Sequence, residues 1–92
     1  MIRSFTCKYT EALSRGKRVK RFANIADVAR RKLRQLEIAN RLEDLRVPPG
    51  NHLEALTGNR SGQYSIRIND QWRVCFGWTD AGAENVEIVD YH

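Results

Sequence analysis

Apolar and polar residues alternate through the last third of the sequence. Apolar side chains occupy every second position over residues 64–68 and 72–78, and the pattern returns at Val86 and Ile88. A period of two places one side of an extended segment in a core and the other side on a surface. The pattern predicts a run of strands joined by hairpins, with Asp80-Ala81-Gly82 as the last turn.

A helical period of three and four residues precedes these strands. Apolar residues recur at this spacing over residues 25–39, with Asn24 placed to cap the first turn and Asp27 placed near its positive end. The pattern continues towards Leu45, with or without a break, until Pro48-Pro49-Gly50 stops it.

Two shorter elements are predicted nearer the start. Residues 2–5 alternate and predict a short opening strand, and residues 8–15 fit a short helix that Gly16 ends. Helices followed by hairpin-connected strands indicate an α+β fold. We expect one domain over residues 1–92, with the helices packed on a mostly antiparallel sheet of four to five strands.

The loop between the first two strands of this run sets their register. A two-residue turn would mix the core face with the polar face. A three-residue loop at residues 69–71 instead pairs Ile68 with Trp72 and Ile66 with Val74. The consistent register is therefore the one with the longer loop.

This register brings two positive charges together on the face away from the core. Arg67 then lies directly opposite Arg73, and like charges in that position repel. A negative group should sit nearby, which is either Glu87 on the last strand or a bound phosphate. Phosphate is favoured because Tyr91, by alternation, shares the face of Glu87, and His92 follows it.

The last three residues carry groups suited to acid–base chemistry. His92 titrates near neutrality, Tyr91 can stack on a base or donate a proton, and Asp90 precedes them. Arg60 lies in a turn bracketed by Gly58 and Gly62, where it reaches a phosphate or is an ordinary turn residue. With the arginine pair, these groups suggest RNA cleavage without a metal or cofactor.

Charge points to the same class of partner. The formal net charge is +5, and twelve of the sixteen basic residues are arginine, which suits phosphate contacts. A basic run includes Lys17, Arg18, Lys20 and Arg21. It is either a clamp on the phosphate backbone of RNA or a solvated link between helices.

Other classes of protein are excluded by what the sequence lacks. A hydrophobic content of 41% is too high for a disordered tail, and no apolar stretch is long enough to span a membrane. Cys7 and Cys75 are far apart, as are the two histidines, so we expect reduced cysteines and no zinc site. The first residues do not read as a secretory signal, which makes the cytoplasm the expected compartment.

The combined pattern resembles the HigB group of killer proteins, within the RelE/ParE superfamily of type II toxin–antitoxin systems. The resemblance covers nearly the whole chain. Its most specific parts are the run Ser65-Ile66-Arg67-Ile68-Asn69-Asp70-Gln71-Trp72-Arg73 and the closing Asp90-Tyr91-His92. Further matching segments are residues 2–5, 48–51, 53–56, 58–64, 74–76 and 86–89.

The resemblance implies a RelE-like fold and a toxin that cleaves mRNA in the decoding site of the ribosomal small subunit. It also implies a HigA-type helix-turn-helix antitoxin, with operator DNA bound only through the complex of the two proteins. Carried over by position, Asp90, Tyr91, His92 and Arg73 match positions tied to activity, while Arg60 and Arg67 match basic positions on the same surface.

The sequence departs from that family at three places. Thr57 and Asn59 stand where relatives often have lysine and aspartate, and Glu54 stands where some carry a catalytic histidine. His52 lies two residues earlier and shares the side of Glu54 if the segment is extended. Either Glu54 or His52 is therefore the candidate base.

One alternative of a different class remains open at this stage. A non-catalytic module that binds RNA or an acidic protein explains the basic charge and the arginine pair equally well. Only an enzyme gives Asp90, Tyr91 and His92 a role.

Overall fold

The computed structural model describes residues 1–91, so His92 lies outside the described residues. The main elements are α1 (Lys8–Ser14), α2 (Ala26–Ile38), β1 (Glu54–Ala55), β2 (Gln63–Arg67), β3 (Trp72–Thr79) and β4 (Gly82–Asp90). Short 3-10 helices cover Lys20–Phe22, Leu42–Arg46, Pro49–Asn51 and Gly58–Arg60. The strands form one antiparallel sheet in the order β1-β2-β3-β4. The predicted α+β architecture is confirmed.

The end of α1 is as predicted from the sequence, whereas the start of α2 differs from the prediction. Gly16 has a φ of 85°, and the amides of Gly16 and Lys17 donate back to the carbonyls of Leu13 and Ala12, which ends α1. The expected cap at Asn24 is wrong. Ile25 occupies the position before α2 and makes no side-chain cap, while its carbonyl accepts from the amide of Ala29 at 2.8 Å.

The long helix stops earlier than the apolar pattern suggests. Its last residue is Ile38, and Ala39 is already extended with a ψ of 132°. The apolar residues beyond this break belong to a separate 3-10 helix, Leu42–Arg46, whose Leu45 reaches the core. The break turns the chain towards the segment that leads into β1.

The register of the central hairpin is confirmed. Ile66 pairs with Val74, and the amide of Ile68 donates to the carbonyl of Trp72 at 2.9 Å. The Asn69 side chain closes the loop, since its oxygen accepts from the amides of Gln71 and Trp72. The apolar residues of both strands therefore share one face.

The opening segment and β4 depart from simple alternation. Residues 2–5 form two isolated parallel bridges to Ala83 and Val86 instead of a regular strand. The register between β3 and β4 shifts opposite Gly77, and Asn85 has a φ of 53°. Because of this bulge, Ala83 and Val86 both face the core although they are three positions apart, and both are fully buried.

The core lies between the helices and one face of the sheet. Phe22 packs edge-on against Trp72, with ring centroids 5.6 Å apart. The remaining buried core includes Leu13, Ile25, Ala29, Leu33, Leu36, Leu45, Ile66, Ile68, Val74, Phe76, Ala83, Val86 and Ile88. Within residues 1–91, no helix is long and apolar enough to cross a membrane.

Candidate active site

The second face of the sheet carries small buried residues beneath long polar ones. Ser65 on β2 and Cys75 on β3 pair across the two strands, and both are fully buried. Because Ser65 and Cys75 are small, they leave room for longer side chains to lie across the strands. Arg73 bonds to Ser65, and Tyr91 contacts Cys75.

Arg73 is held in place by three neighbours. Its Nε donates to Ser65 Oγ at 2.8 Å, and one terminal nitrogen donates to the backbone carbonyl of His52 at 2.6 Å. The same nitrogen lies 3.8 Å from Oε1 of Glu54. The side chain is only 12% exposed, so its orientation is largely set before any ligand binds.

Glu54 and His52 occupy different positions relative to this arginine. Glu54 lies on β1 opposite Ser65, and its side chain is 58% exposed, which leaves the carboxylate open to a substrate. His52 is not in an extended segment, because it adopts the left-handed conformation with a φ of 45°. The contact of His52 with Arg73 is made by its backbone carbonyl, which favours Glu54 as the candidate base.

Arg60 and Glu87 form an ion pair on the same face. Nη1 of Arg60 lies 2.9 Å from Oε1 of Glu87 and donates to Oε1 of Gln63 at 3.0 Å. Partial burial disfavours the charged guanidinium, but the hydrogen bond to Glu87 and nearby polar groups outweigh it and raise the pKa of Arg60. Glu87 lies on the predicted face, opposite Cys75, but its ion pair is with Arg60 and not with Arg67 or Arg73, a pairing that was one of the two alternatives open from the sequence.

Tyr91 closes this surface beside Cys75. Its hydroxyl lies 3.7 Å from the Cys75 Sγ, as expected if Tyr91 shares the face of Glu87. Burial, together with the hydrogen bond with Cys75, raises the pKa of Tyr91. Burial likewise raises the pKa of the Cys75 thiol. Tyr91 is consequently protonated at neutral pH, and its hydroxyl can donate a hydrogen bond.

The two opposing arginines turn away from each other. Arg67 and Arg73 are paired across the strands as the register predicted. Arg73 turns towards Ser65, whereas Arg67 pairs with the carboxylate of Asp70 in the hairpin loop. Asp70 is 99% exposed on its side chain, so this ion pair is weak and open to replacement by another anion.

Asp90 lies at the end of β4, next to the hairpin loop. Its carboxylate accepts a hydrogen bond from the Gln71 side chain at 3.1 Å, and the amide of Tyr91 donates to the Gln71 carbonyl at 2.6 Å. These two bonds tie the end of β4 to the loop after β2. The candidate role of His92 falls outside the described residues.

The basic run is located in the helical layer. Lys17 and Arg18 follow α1, and Lys20 and Arg21 lie in the 3-10 helix that leads to α2. The guanidinium of Arg21 lies 4.4 Å from the ring centroid of Tyr9, an aromatic residue that sequence reasoning did not select. Since the helices cover the core face, this run is separated from Arg73 by the sheet.

Ser65 and Cys75 are two further residues of this surface that were not among the predicted site residues. Both alternate with core residues on their strands, so they fall on the same face as Arg67 and Arg73. Small side chains on a polar face beside long arginines are the signal that identifies such anchors. Both cysteines are free. Among residues 1–91, no group of three or more His, Cys, Asp or Glu is placed to hold a metal ion.

The arrangement combines fixed positive charge, a nearby carboxylate and a protonated phenol. Arg73 and Arg60 can stabilise negative charge that develops on a phosphate, and the Glu54 carboxylate can accept a proton beside it. Tyr91 can donate a hydrogen bond from the same surface. This set suits proton transfer on a phosphodiester better than binding of a neutral ligand.

Comparison with solved structures defines the class of fold. The protein is similar to a chain in the YoeB–YefM complex from Staphylococcus aureus, with a TM-score of 0.59 and 22% sequence identity. The match covers 100% of this chain and 95% of that chain. The protein therefore has the α+β RelE-like fold.

Sequence comparison then gives the family. The model for the HigB-like toxins, described as the RelE-like toxin of the type II toxin–antitoxin system HigB, matches residues 4–92, and the chain belongs to this family. It is 46% identical over 63 residues to Toxin HigB-1 of Vibrio cholerae, which is 68% of this chain and 66% of that protein. The resemblance noted from the motifs is confirmed.

A second relative is an uncharacterized protein of Haemophilus influenzae. It is 36% identical over 64 residues, covering 70% of this chain and 63% of that protein. In both relatives the match spans slightly less than two-thirds of the protein's length.

Proposed function

We propose that the protein is a toxin that cleaves mRNA on the ribosome without a metal ion. The observation that carries the proposal is Arg73, which is held by Ser65 and the His52 carbonyl with the Glu54 carboxylate 3.8 Å away. Membership of the HigB-like toxin family supports the proposal. A guanidinium fixed beside an accessible carboxylate suits transfer of a phosphoryl group within RNA.

The proposed reaction is an internal transfer at one phosphodiester. Glu54 takes the proton of the ribose 2′-hydroxyl, and the 2′-oxygen forms a bond to the adjacent phosphorus. The bond from phosphorus to the 5′-oxygen then breaks, and an acid returns a proton to that oxygen. The products are a 2′,3′-cyclic phosphate and a 5′-hydroxyl, so atoms and charge balance without a co-reactant.

The remaining catalytic roles are proposed for the arginines and for residues 90–92. Arg73, with Arg60 beside it, stabilises the charge of the transition state. Tyr91 is protonated, so it donates a hydrogen bond or stacks on a base instead of acting as the base. His92 is the proposed acid because its ordinary pKa lies near neutrality. Asp90, next to both, is proposed to position them.

The proposed partners follow from the family. We propose a HigA-type antitoxin that holds the toxin inactive, with operator DNA bound through the complex. The structural neighbour comes from a complex, YoeB–YefM, which supports an antitoxin partner for a fold of this kind. Cleavage on translating ribosomes places the action in the cytoplasm. Arg67 and the basic residues Lys17, Arg18, Lys20 and Arg21 are proposed contacts to RNA.

Mapping of mRNA ends after brief induction tests the proposal. The wild type should produce discrete new ends within translated codons, and Glu54→Gln should lower cleavage about 100-fold or more because an amide cannot take the proton. Glu54→Gln preserves shape at an exposed side chain, so the fold is retained. Arg3→Gln is a matched surface control and should cleave like the wild type.

The outcomes separate an enzyme from a binding protein. Growth arrest without new ends would contradict the proposed cleavage and favour a module that binds RNA or protein. Undiminished cleavage by Glu54→Gln would keep the nuclease but remove Glu54 as its base, leaving His52 as the next candidate. A variant His92→Ala tests the proposed acid in the same assay.

A further inference from the structure

Lys32 reaches from α2 to the edge of the sheet beside the candidate active site. Its Nζ donates to the Asn51 side-chain oxygen at 2.6 Å. Asn51 ends the 3-10 helix Pro49–Asn51, which packs against β2. Lys32 and Asn51 are 19 positions apart in the sequence, so local patterns do not predict this contact.

Asn51 holds this lysine from a rigid position. It is fully buried, and its side-chain nitrogen donates to the Gln35 side chain at 2.8 Å and to the Leu45 carbonyl at 3.1 Å. The amide orientation is thus set by its donors, which leaves its oxygen facing Lys32. The ammonium is consequently held at one place, by a neutral partner.

The charged surroundings of Lys32 are positive. Partial burial and the positive charges of Arg31 and Arg67 lower the pKa of Lys32. Asn51, which holds Lys32, directly precedes His52, whose carbonyl accepts from Arg73, and Arg67 lies opposite Arg73 on the neighbouring strand. The carboxylate partner of Arg67, Asp70, is almost fully exposed. An anion placed between Lys32 and Arg67 would relieve this repulsion.

We propose that Lys32 and Arg67 form a second phosphate-binding position for single-stranded RNA, adjacent to Arg73. The inference rests on the proposed function, and it extends the RNA path from the sheet face round the β1 edge of the sheet to α2. Arg67 lies directly opposite Arg73, so neighbouring phosphates of one strand would meet the two arginines. Lys32 then acts on the second phosphate and not on the cleaved one.

Salt-dependent binding of a single-stranded deoxyoligonucleotide tests this position. The probe lacks 2′-hydroxyl groups, so it binds without being cleaved. Each lost phosphate contact lowers the slope of log affinity against log salt by about 0.7 for single strands. Lys32→Gln should lose one such contact. Between 0.05 and 0.2 M salt, its affinity should therefore fall by a factor about 2.6-fold smaller than the fall for the wild type.

Two further variants make the result specific. Glutamine can still donate to Asn51, so Lys32→Gln should fold, and a circular dichroism spectrum checks this. Lys32→Arg keeps the charge and should keep the wild-type slope. Arg3→Gln removes one charge from the segment that pairs with β4, at the opposite edge of the sheet, and should also keep it.

The results distinguish this inference from the proposed function. Equal slopes for the wild type, Lys32→Gln and Arg3→Gln would overturn the second phosphate position, and so would equal losses in both variants. In either case, new mRNA ends produced by the wild type would still support the nuclease. Absence of those ends would contradict the proposed nuclease activity, whatever the salt dependence of binding is.

Discussion

Removing the Asn51 side chain should destabilise the protein more than any other single change to an asparagine. The residue is fully buried, and its amide joins α2 to the segment before β1. Asn51→Ala deletes the bonds to Gln35 and to the Leu45 carbonyl, as well as the acceptor for Lys32. Each of these groups would be left partly buried without its partner.

The size of the effect follows from these three bonds, which span 2.6 to 3.1 Å. A buried hydrogen bond contributes about 1 kcal/mol net, and an unsatisfied partner adds to the loss. We expect the free energy of unfolding to fall by about 3 kcal/mol, a large part of the roughly 5–15 kcal/mol typical of a domain.

Urea denaturation followed by tryptophan fluorescence measures this loss, because Trp72 packs against the core. The midpoint should fall while the slope with urea stays the same. Asn59→Ala is the control, since Asn59 is exposed and should change stability by less than about 0.5 kcal/mol. Equal stability of the two variants would refute the assignment of Asn51 as a structural link.

Three further outcomes are expected. A double-mutant cycle on Arg60 and Glu87 should give a coupling of about 0.2–1 kcal/mol that weakens with salt, because their side chains are 31% and 28% exposed; zero coupling would refute the pair. Thr10→Val should cost about 1–3 kcal/mol and speed hydrogen exchange at the β4 amide that donates to Thr10, and unchanged exchange would count against this bond. Iodoacetamide should modify Cys7 before Cys75 in the folded protein, and mass spectrometry measures the order. Burial alone would raise the pKa of Cys7, but hydrogen bonds from Thr10 and Tyr9 outweigh it and lower that pKa, whereas burial raises the pKa of Cys75. Equal reaction of both thiols would contradict this order.

The strand register was predictable because one face of the hairpin had to be apolar. Only the three-residue loop keeps Ile66 and Val74 on one side, and the same choice sets Arg67 opposite Arg73. Gly16 was equally predictable, since its left-handed conformation suits the end of a helix. In these cases a local pattern and the tertiary fold demand the same structure.

The partners of the charged residues were not predictable in this way. Alternation gives the face of Glu87 but not its neighbour, because the 3-10 helix Gly58–Arg60 brings Arg60 to it from a loop. The bulge at Asn85 likewise has no strong local signal. The contact between Lys32 and Asn51 joins residues 19 positions apart and depends on how α2 packs.

A single 2′-deoxy substitution in a defined mRNA tests the central claim most directly. Ribosomes programmed with this message and with its all-ribose counterpart would be treated with the wild-type protein, and the cut ends analysed. We predict a 2′,3′-cyclic phosphate and a 5′-hydroxyl on the all-ribose message, and no cut at the substituted linkage. Undiminished cleavage at the 2′-deoxy position, or ends with a 5′-phosphate, would contradict an internal transfer driven by Glu54 and Arg73.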